Sequence, residues 1–151
     1  MTRLLFVCSG NTCRSPMAAA QARLIAAELA SSVAVASAGL SATNGEEATG
    51  HAQLVTTQMG GSLVEHRSVQ LDESLLAIAD LVLTMTASQR DAVSKRWPEY
   101  AGRVMTLGES SGLDVDVEDP FGGSIEDYEY TSRQLTRLLR AAWTTIGRAG
   151  S

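Results

Sequence analysis

Eight consecutive residues near the N-terminus combine the side chains needed to bind an oxyanion and to attack it. They follow a short apolar run, residues 4–7, and read Cys8-Ser9-Gly10-Asn11-Thr12-Cys13-Arg14-Ser15. A buried strand that turns sharply into a helix directs several backbone N–H groups, and the positive end of the helix dipole, at one point. The arginine adds a planar fork that can grip two oxygens of a tetrahedral anion. The segment therefore predicts a phosphate-binding loop with a thiol at its base.

The individual positions of this loop suit a tight turn before a helix. Gly10 permits a left-handed backbone, and Asn11 is one of the few other residue types that tolerate it. Ser15 is predicted as the N-cap of the helix and Pro16 as its first residue. A Walker loop also binds phosphate, but it needs Gly-Lys followed by Ser or Thr, and the chain has no such sequence.

Cys8 is predicted to be a nucleophile. The surroundings that bind an anion also favour a thiolate over a thiol, and Ser15 is in a position to donate a further hydrogen bond to the sulfur. A thiolate that faces the phosphorus of a bound phosphomonoester supports in-line attack and a cysteinyl-phosphate intermediate. The alternative is a structural cysteine buried at the end of a strand. An arginine six positions later, across a strand-to-helix turn, favours the catalytic interpretation.

Length, charge and hydrophobicity restrict the possible functions. The chain has 151 residues and a net charge of −5 at pH 7. This length suits one domain, residues 1–151. The acidic charge disfavours a nucleic-acid partner, and the apolar runs are far shorter than the ~20 residues of a membrane helix. The N-terminus does not read as a signal peptide. We expect a cytoplasmic monomer that binds neither nucleic acid nor a membrane.

The cysteines are interpreted as chemical rather than structural. Cys8 and Cys13 are the two cysteines of the chain. With His51 and His66 they could in principle hold zinc, but their separation is not that of a usual ligand pair. A structural disulfide between them would close a very short loop and stabilise little. We therefore expect no metal ion and no cofactor.

Short apolar runs alternate with helical patterns along the chain. Such alternation predicts an α/β fold, a single domain with a four-stranded parallel sheet and helices on both faces. The predicted strands are residues 3–8, 33–37, 81–85 and 103–107. The predicted helices are residues 16–29, 49–59, 72–79, 88–97 and 124–145, and an acidic, glycine-bearing loop is predicted over 108–123.

Residues 7–18 closely resemble the active-site signature of the low-molecular-weight protein tyrosine phosphatases. Four further segments resemble other landmarks of that family, in the same order: Ser37-Ala38-Gly39, His66-Arg67, residues 79–85 and Asp119-Pro120. The resemblance covers essentially the whole chain. It implies the fold of that family and hydrolysis of phosphorylated protein side chains.

The resemblance also implies a proton donor. It assigns Asp119, in its Asp-Pro pair, as the acid that protonates the leaving group and then as the base that activates water. Spacing alone does not distinguish Asp119 from three acidic neighbours, Asp114, Asp116 and Glu118. An Asp-Pro pair by itself is also a common turn.

Other roles are implied by the same resemblance. Asn11, Ser37 and His66 would form a hydrogen-bonded scaffold for the loop. Without the resemblance, the sequence around His66 would indicate a surface histidine. Cys13 would form a reversible disulfide with the nucleophile and protect it from over-oxidation. His51 is assigned no role. The expected phosphate-binding or substrate-binding residues are Ser9, Gly10, Asn11, Thr12, Cys13, Ser15 and Phe121, beside the catalytic Cys8, Arg14 and Asp119.

The substrate is predicted from the residues around the loop. Family members that act on phosphotyrosine generally have a bulky aliphatic residue in place of Thr12 and two aromatic residues after the Asp-Pro pair. Here one aromatic, Phe121, follows, and residues 41–45 lack the tryptophan of many such enzymes. This pattern resembles the bacterial protein-arginine phosphatases of the same superfamily. We expect phosphoarginine as the preferred substrate, with a strict phosphotyrosine phosphatase as the alternative.

Two other functions are weighed against a phosphatase. An arsenate reductase can share this fold and loop, but its thioredoxin-coupled form relays a disulfide through later cysteines, and none follows Cys13. A non-catalytic phosphate-binding module would not need Cys8, Arg14 and Asp119 together. The sequence therefore favours a phosphatase.

Overall fold

Four parallel strands form one sheet in the computed structural model, which describes residues 1–150. The strands are β1 (Thr2–Cys8), β2 (Val33–Gly39), β3 (Leu81–Thr84) and β4 (Val104–Thr106), and they lie side by side in the order β2-β1-β3-β4. All three pairings are parallel. The first strand of the chain is therefore an interior strand of the sheet.

Helices cover both faces of this sheet, so the predicted fold class is confirmed. They are α1 (Arg14–Glu28), α2 (Gly50–Gln58), α3 (Glu73–Ile78), α4 (Ala87–Arg96), α5 (Leu107–Ser110) and α6 (Ile125–Ala149). A 3-10 turn, Pro98–Arg103, precedes β4. Side chains of α1, α2 and α6 share one core with the sheet, and side chains of α3 and α4 share the other.

The alternation of side chains along β1 explains why its residues 4–7 are all apolar. Leu4 and Phe6 belong to the core beneath α1 and α6, whereas Leu5 and Val7 belong to the core beneath α3 and α4. All four are at most 2% exposed. Burial of one such side chain stabilises the fold by about 1.5–3 kcal/mol. The part of β1 that lies between the two cores is therefore apolar on both faces.

The predicted loop over residues 108–123 was wrong at its start, because β4 runs directly into α5. Thr106 accepts a hydrogen bond from the backbone of Glu109, and Glu109 accepts one from the backbone of Thr106, so the two form a capping box. Gly108 lowers the helix propensity of this turn, but a Cβ there would lie 2.9 Å from the carbonyl oxygen of Leu113. The glycine is required by this close packing.

The carboxyl ends of the strands bring distant segments to one edge. The ends of β1 at Cys8, of β2 at Gly39 and of β3 at Thr84 are adjacent, because the strands are parallel and in register. Ligands of open α/β sheets bind at this edge. The loops that follow these three strands therefore meet there, and so does the loop that ends at the N-terminus of α6.

Candidate active site

Cys8 is the last residue of β1, and its buried sulfur receives hydrogen bonds from the turn that follows. The Sγ atom lies 2.9 Å from Oγ of Ser15, and the backbone N–H of Asn11 donates to it at 3.3 Å. Cys8 is 3% exposed, so water provides little of its solvation. These donors are the groups that would stabilise a negative charge on the sulfur.

The prediction that Ser15 is an N-cap was wrong. Helix α1 already begins at Arg14, after Cys13, and no side chain caps it. Oγ of Ser15 instead accepts a hydrogen bond from Nδ2 of Asn11 at 2.7 Å, which leaves its own proton to be donated to Cys8. Pro16 is then the third helical residue, where an N–H would lack an intrahelical acceptor in any case.

Asn11, rather than Gly10, makes the left-handed turn of the loop. Its φ is 58°, whereas Gly10 is not among the positive-φ residues, so that part of the prediction was wrong. The side-chain amide of Asn11 donates to Oγ of Ser37 at 3.0 Å and accepts from the backbone N–H of Val69 at 2.9 Å. The backbone carbonyl oxygen of Asn11 lies 2.8 Å from Nε2 of His66. Hydrogen bonds to Asn11 therefore bring Ser37 and His66 together at this loop.

His66 supports the loop as a neutral donor. Burial lowers the pKa of its imidazole, and the positive charges of Arg23 and Arg67 lower this pKa further, against the opposing effect of the Asn11 carbonyl. Because a carbonyl oxygen only accepts, Nε2 of His66 carries the proton of this hydrogen bond.

Arg14 and Asp119 meet beside the loop. Arg14 is 5% exposed, and its Nη1 atom donates to the carbonyl oxygen of Val117 at 2.9 Å. Its Nη2 atom lies 3.6 Å from Oδ2 of Asp119. The N–H of Val117 donates to Met85, directly after β3, and thereby fixes this part of the loop to the sheet. The other carboxylate oxygen of Asp119 accepts from the backbone of Phe121 at 3.0 Å.

The position of the pocket distinguishes the four acidic residues that were candidates for the proton donor. Asp119 lines the pocket that contains Cys8, and Glu118, Asp116 and Asp114 do not. Asp116 instead accepts a hydrogen bond from the backbone of Ala87, at the start of α4.

The pocket has a volume of about 260 Å³ and holds most of the predicted site residues. Cys8 is buried, Thr12 is partly buried, and Phe121 is 68% exposed. The complete lining is Cys8, Gly10, Asn11, Thr12, Cys13, Arg14, Ser41, Thr43, Glu46, Asp119 and Phe121. Ser9 and Ser15 are not in this lining. Ser9 accepts a hydrogen bond from the side chain of Gln89 at 3.2 Å.

A thiol, a buried guanidinium and a partly exposed carboxylate thus share one pocket at the carboxyl edge of a parallel sheet. The family model described as "Low molecular weight phosphotyrosine protein phosphatase" matches residues 3–150. The chain belongs to this family. The resemblance predicted from the sequence is confirmed.

Some relatives of this chain are named protein-arginine phosphatases and others protein-tyrosine phosphatases. The chain is 44% identical to a protein-arginine-phosphatase of Geobacillus stearothermophilus over 138 residues, which are 91% of this chain and 90% of that protein. It is 40% identical to a probable low molecular weight protein-tyrosine-phosphatase, EpsP, of Ralstonia solanacearum, again over 138 residues, 91% of each chain.

A solved structure of the family shows a phosphorylated active-site residue. It is a cysteine-to-serine mutant of YwlE arginine phosphatase with a phosphorylated active-site serine. It superimposes with a TM-score of 0.92 at 40% identity, over 96% of this chain and 95% of that one. A phosphorylated side chain at that site agrees with the covalent mechanism of these phosphatases.

The second cysteine of the phosphatase loop has partners of its own. Sγ of Cys13 lies 3.4 Å from the hydroxyl of Tyr128 and 3.7 Å from Oγ1 of Thr49. Burial raises the pKa of Cys13 above its ordinary value, although these hydrogen bonds oppose the shift. Burial likewise raises the pKa of Tyr128 to about 12. Cys13 is therefore a protonated thiol at neutral pH.

Gly39 is required by the close approach of β2 to the loop. A Cβ at this position would lie 2.6 Å from the carbonyl oxygen of Ser9 and 3.0 Å from the backbone nitrogen of Asn11. Both distances are shorter than ordinary contacts to a Cβ atom. The loop therefore packs directly on the backbone of β2, and no side chain fits between them.

Several residues around the site were missed from the sequence. Gln89 accepts hydrogen bonds from the backbone of Met85 and Thr86 while it donates to Ser9, and so ties the start of α4 to the loop. A Thr-x-x-Gln pattern, residues 86–89, is a capping-box signal that could have located the helix start, though not the contact. Nothing local identifies Tyr128, which lies 115 residues from Cys13.

Within residues 1–150, no helix is both long and apolar enough to cross a membrane. The same residues contain no cluster of three or more His, Cys, Asp or Glu side chains arranged to hold a metal ion.

Proposed function

We propose that this phosphatase hydrolyses phosphoarginine in proteins, with Cys8 as nucleophile, Arg14 as the ligand of the phosphoryl oxygens and Asp119 as acid and then base. The observation that carries the proposal is the convergence of these three side chains on one pocket with Thr12 in its wall. We further propose that the enzyme meets its protein substrates in the cytoplasm, as a monomer.

In the first step the phosphoryl group moves to sulfur. Its oxygens are held by backbone N–H groups of the loop and by Arg14, and the Cys8 thiolate attacks phosphorus from the side away from the leaving group. The S–P bond forms as the N–P bond of phosphoarginine, or the O–P bond of an aryl phosphate, breaks. Asp119 gives its proton to the leaving nitrogen or oxygen, so the arginine side chain departs as its guanidinium cation and an aryl leaving group departs as a neutral phenol.

In the second step water releases phosphate. The Asp119 carboxylate takes a proton from a water molecule, whose oxygen attacks phosphorus while the S–P bond breaks. Cys8 leaves as a thiolate, which the hydroxyl of Ser15 and the N–H of Asn11 stabilise from 2.9 Å and 3.3 Å. Asp119 is protonated again at the end, ready for the next turnover.

The choice of phosphoarginine rests on the residues above the thiol. The hydroxyl of Thr12 gives the wall a polar group that can orient a guanidinium or the attacking water, where an isoleucine would pack on a phenyl ring. Phe121, exposed at the pocket mouth, can stack on a guanidinium. Relatives named as protein-arginine phosphatases support the same choice.

The decisive experiment compares phosphoarginine and phosphotyrosine peptides of matched sequence. We expect the wild type to have the higher kcat/KM on phosphoarginine, and Thr12→Ile to move the ratio toward phosphotyrosine by about tenfold, because it replaces a hydroxyl with apolar surface. Thr43→Ile, a second threonine of the pocket lining, is the matched control and should leave the ratio unchanged. A wild-type preference for phosphotyrosine would favour the strict tyrosine phosphatase instead.

A further inference from the structure

One carboxylate of the pocket has no part in the mechanism. Glu46 lines the same pocket as Cys8 and Asp119 and is exposed. Its carboxylate makes no hydrogen bond or ion pair to any residue of the described part of the chain. Its neighbour Glu47, in contrast, pairs with Arg67 at 3.7 Å and lies outside the pocket lining. Two adjacent glutamates therefore differ in charge compensation and in access to the pocket.

The backbone holds Glu46 in place independently of its side chain. Its N–H donates to Oγ of Ser68 at 2.9 Å, and its carbonyl oxygen accepts from the N–H of Ser68 at 2.8 Å. The N–H of Gly45 donates to the carbonyl oxygen of Ser68 at 2.8 Å. Ser68 is 2% exposed, so this anchor is buried. Replacing the Glu46 carboxylate with an amide would change the charge of the wall and leave its backbone bonds intact.

An uncompensated carboxylate is unfavourable in a pocket that must admit a phosphoryl dianion. Two negative charges in one pocket repel each other, and dissolved salt screens this repulsion. Arg14 makes no ion pair with Glu46, since its guanidinium contacts Val117 and Asp119. The repulsion is removed when the substrate itself brings a positive charge.

We propose that Glu46 is a specificity-determining residue that favours substrates with a positive charge next to the phosphoryl group. The inference rests on the proposed function and deepens it. The cation is the protonated guanidinium of phosphoarginine or the side chain of an arginine or lysine that neighbours the phosphorylated residue in the peptide. A simple aryl phosphate and a phosphotyrosine peptide with neutral neighbours bring neither.

The test compares Glu46→Gln with Glu47→Gln on four substrates. These are p-nitrophenyl phosphate, a phosphotyrosine peptide with neutral neighbours, the same peptide with an adjacent arginine, and a phosphoarginine peptide with neutral neighbours. For Glu46→Gln we expect kcat/KM to fall about two- to fivefold on cationic substrates, as for an exposed ion pair, and to stay level or rise on the two neutral ones. Glu47→Gln should match the wild type on all four.

Ionic strength provides a second measurement. The selectivity of the wild type between the two phosphotyrosine peptides should shrink between 0.1 and 1 M NaCl, because the screening length falls from ~10 Å to ~3 Å. The selectivity of Glu46→Gln should change less over the same range.

Each outcome decides a separate point. A loss on the phosphoarginine peptide identifies the guanidinium as the cation, and a loss confined to the arginine-neighboured phosphotyrosine peptide identifies the neighbouring residue. Equal changes on all four substrates, or the same pattern in Glu47→Gln, would overturn the role of Glu46. If the wild type does not cleave phosphoarginine, the proposed function fails, and the two phosphotyrosine peptides still measure the effect of Glu46.

Discussion

Two parts of the pocket are built in opposite ways. The loop of residues 8–15 is largely buried, and its polar side chains bond to one another and to fixed neighbours such as Ser37 and Gln89. The rim of residues 41–46 is mostly exposed and is held by its backbone, while the Glu46 carboxylate is left without a protein partner. A buried loop whose polar side chains are hydrogen-bonded holds the reacting groups in a constant geometry. An exposed rim can change its side chains without disturbing the fold.

The largest effect should come from the sulfur at the base of the loop. Cys8→Ser removes the nucleophile and keeps its size, so we expect turnover of an aryl phosphate to fall by about a thousandfold or more. Binding of inorganic phosphate, measured by calorimetry, should persist, because the N–H groups and Arg14 remain. Cys13→Ser is the matched control and should retain turnover. Equal activity of Cys8→Ser and wild type would refute the covalent mechanism.

The next effect should come from Asp119, which lines the pocket together with residues of the loop and of the rim. Asp119→Asn removes the proton donor, and we expect kcat to fall about 10²- to 10³-fold, within the range of general acid catalysis. The loss should be smallest for aryl phosphates with acidic leaving groups, which need no proton, as a series of substituted phenyl phosphates would reveal. Glu118→Gln serves as the neighbouring control. A loss independent of the leaving group would argue against an acid role.

A third prediction concerns the stability of the loop. Asn11→Ala removes three side-chain hydrogen bonds and puts alanine at a φ of 58°, so we expect a loss of about 2–4 kcal/mol in the free energy of unfolding. Asn11→Gly removes the same bonds without the backbone strain, and should be more stable than Asn11→Ala by about 1 kcal/mol. Urea unfolding of both variants measures this difference. Equal stabilities would mean that the left-handed backbone contributes nothing.

The smallest effect should be a pH dependence from His66. Its folded-state pKa is lowered by burial, so below the unfolded value of about 6.5 the unfolded chain binds more protons than the folded one. The contribution of His66 is complete above that value and is lost as the pH falls through it toward the folded-state pKa. The free energy of unfolding should drop more between pH 7 and pH 5 for the wild type than for His66→Gln. Parallel curves would show that His66 does not titrate with folding.

The sequence was sufficient for the parts of the fold that depend on local pattern. The apolar run of residues 4–7 predicted a buried strand, and these side chains do pack into the cores on both faces of the sheet. The start of α1 was misjudged by two residues, because the hydroxyl of Ser15 is used by Cys8 and Asn11 rather than by the helix terminus. Local capping preferences cannot reveal that a side chain has a stronger competitor elsewhere.

Only those residues of the site that belong to a sequence motif could be predicted. Residue type and spacing were enough to expect a thiol and a guanidinium in one loop, and the resemblance to the family was needed to select Asp119. The contacts of Gln89 and Tyr128 join segments 80 and 115 residues apart, and no local signal marks them. Glu46 was missed for a related reason, because the backbone bonds to Ser68 that hold it depend on the folded chain.

Gly39 extends the site to a residue with no side chain. Since even a methyl group there would push into the loop, a scan of all substitutions should find this position as intolerant as Cys8. Intolerance of that kind is usually taken as a mark of catalysis. At Gly39 it would instead mark the backbone surface against which the catalytic loop packs. A map of mutational sensitivity alone would not distinguish such a packing position from a catalytic residue.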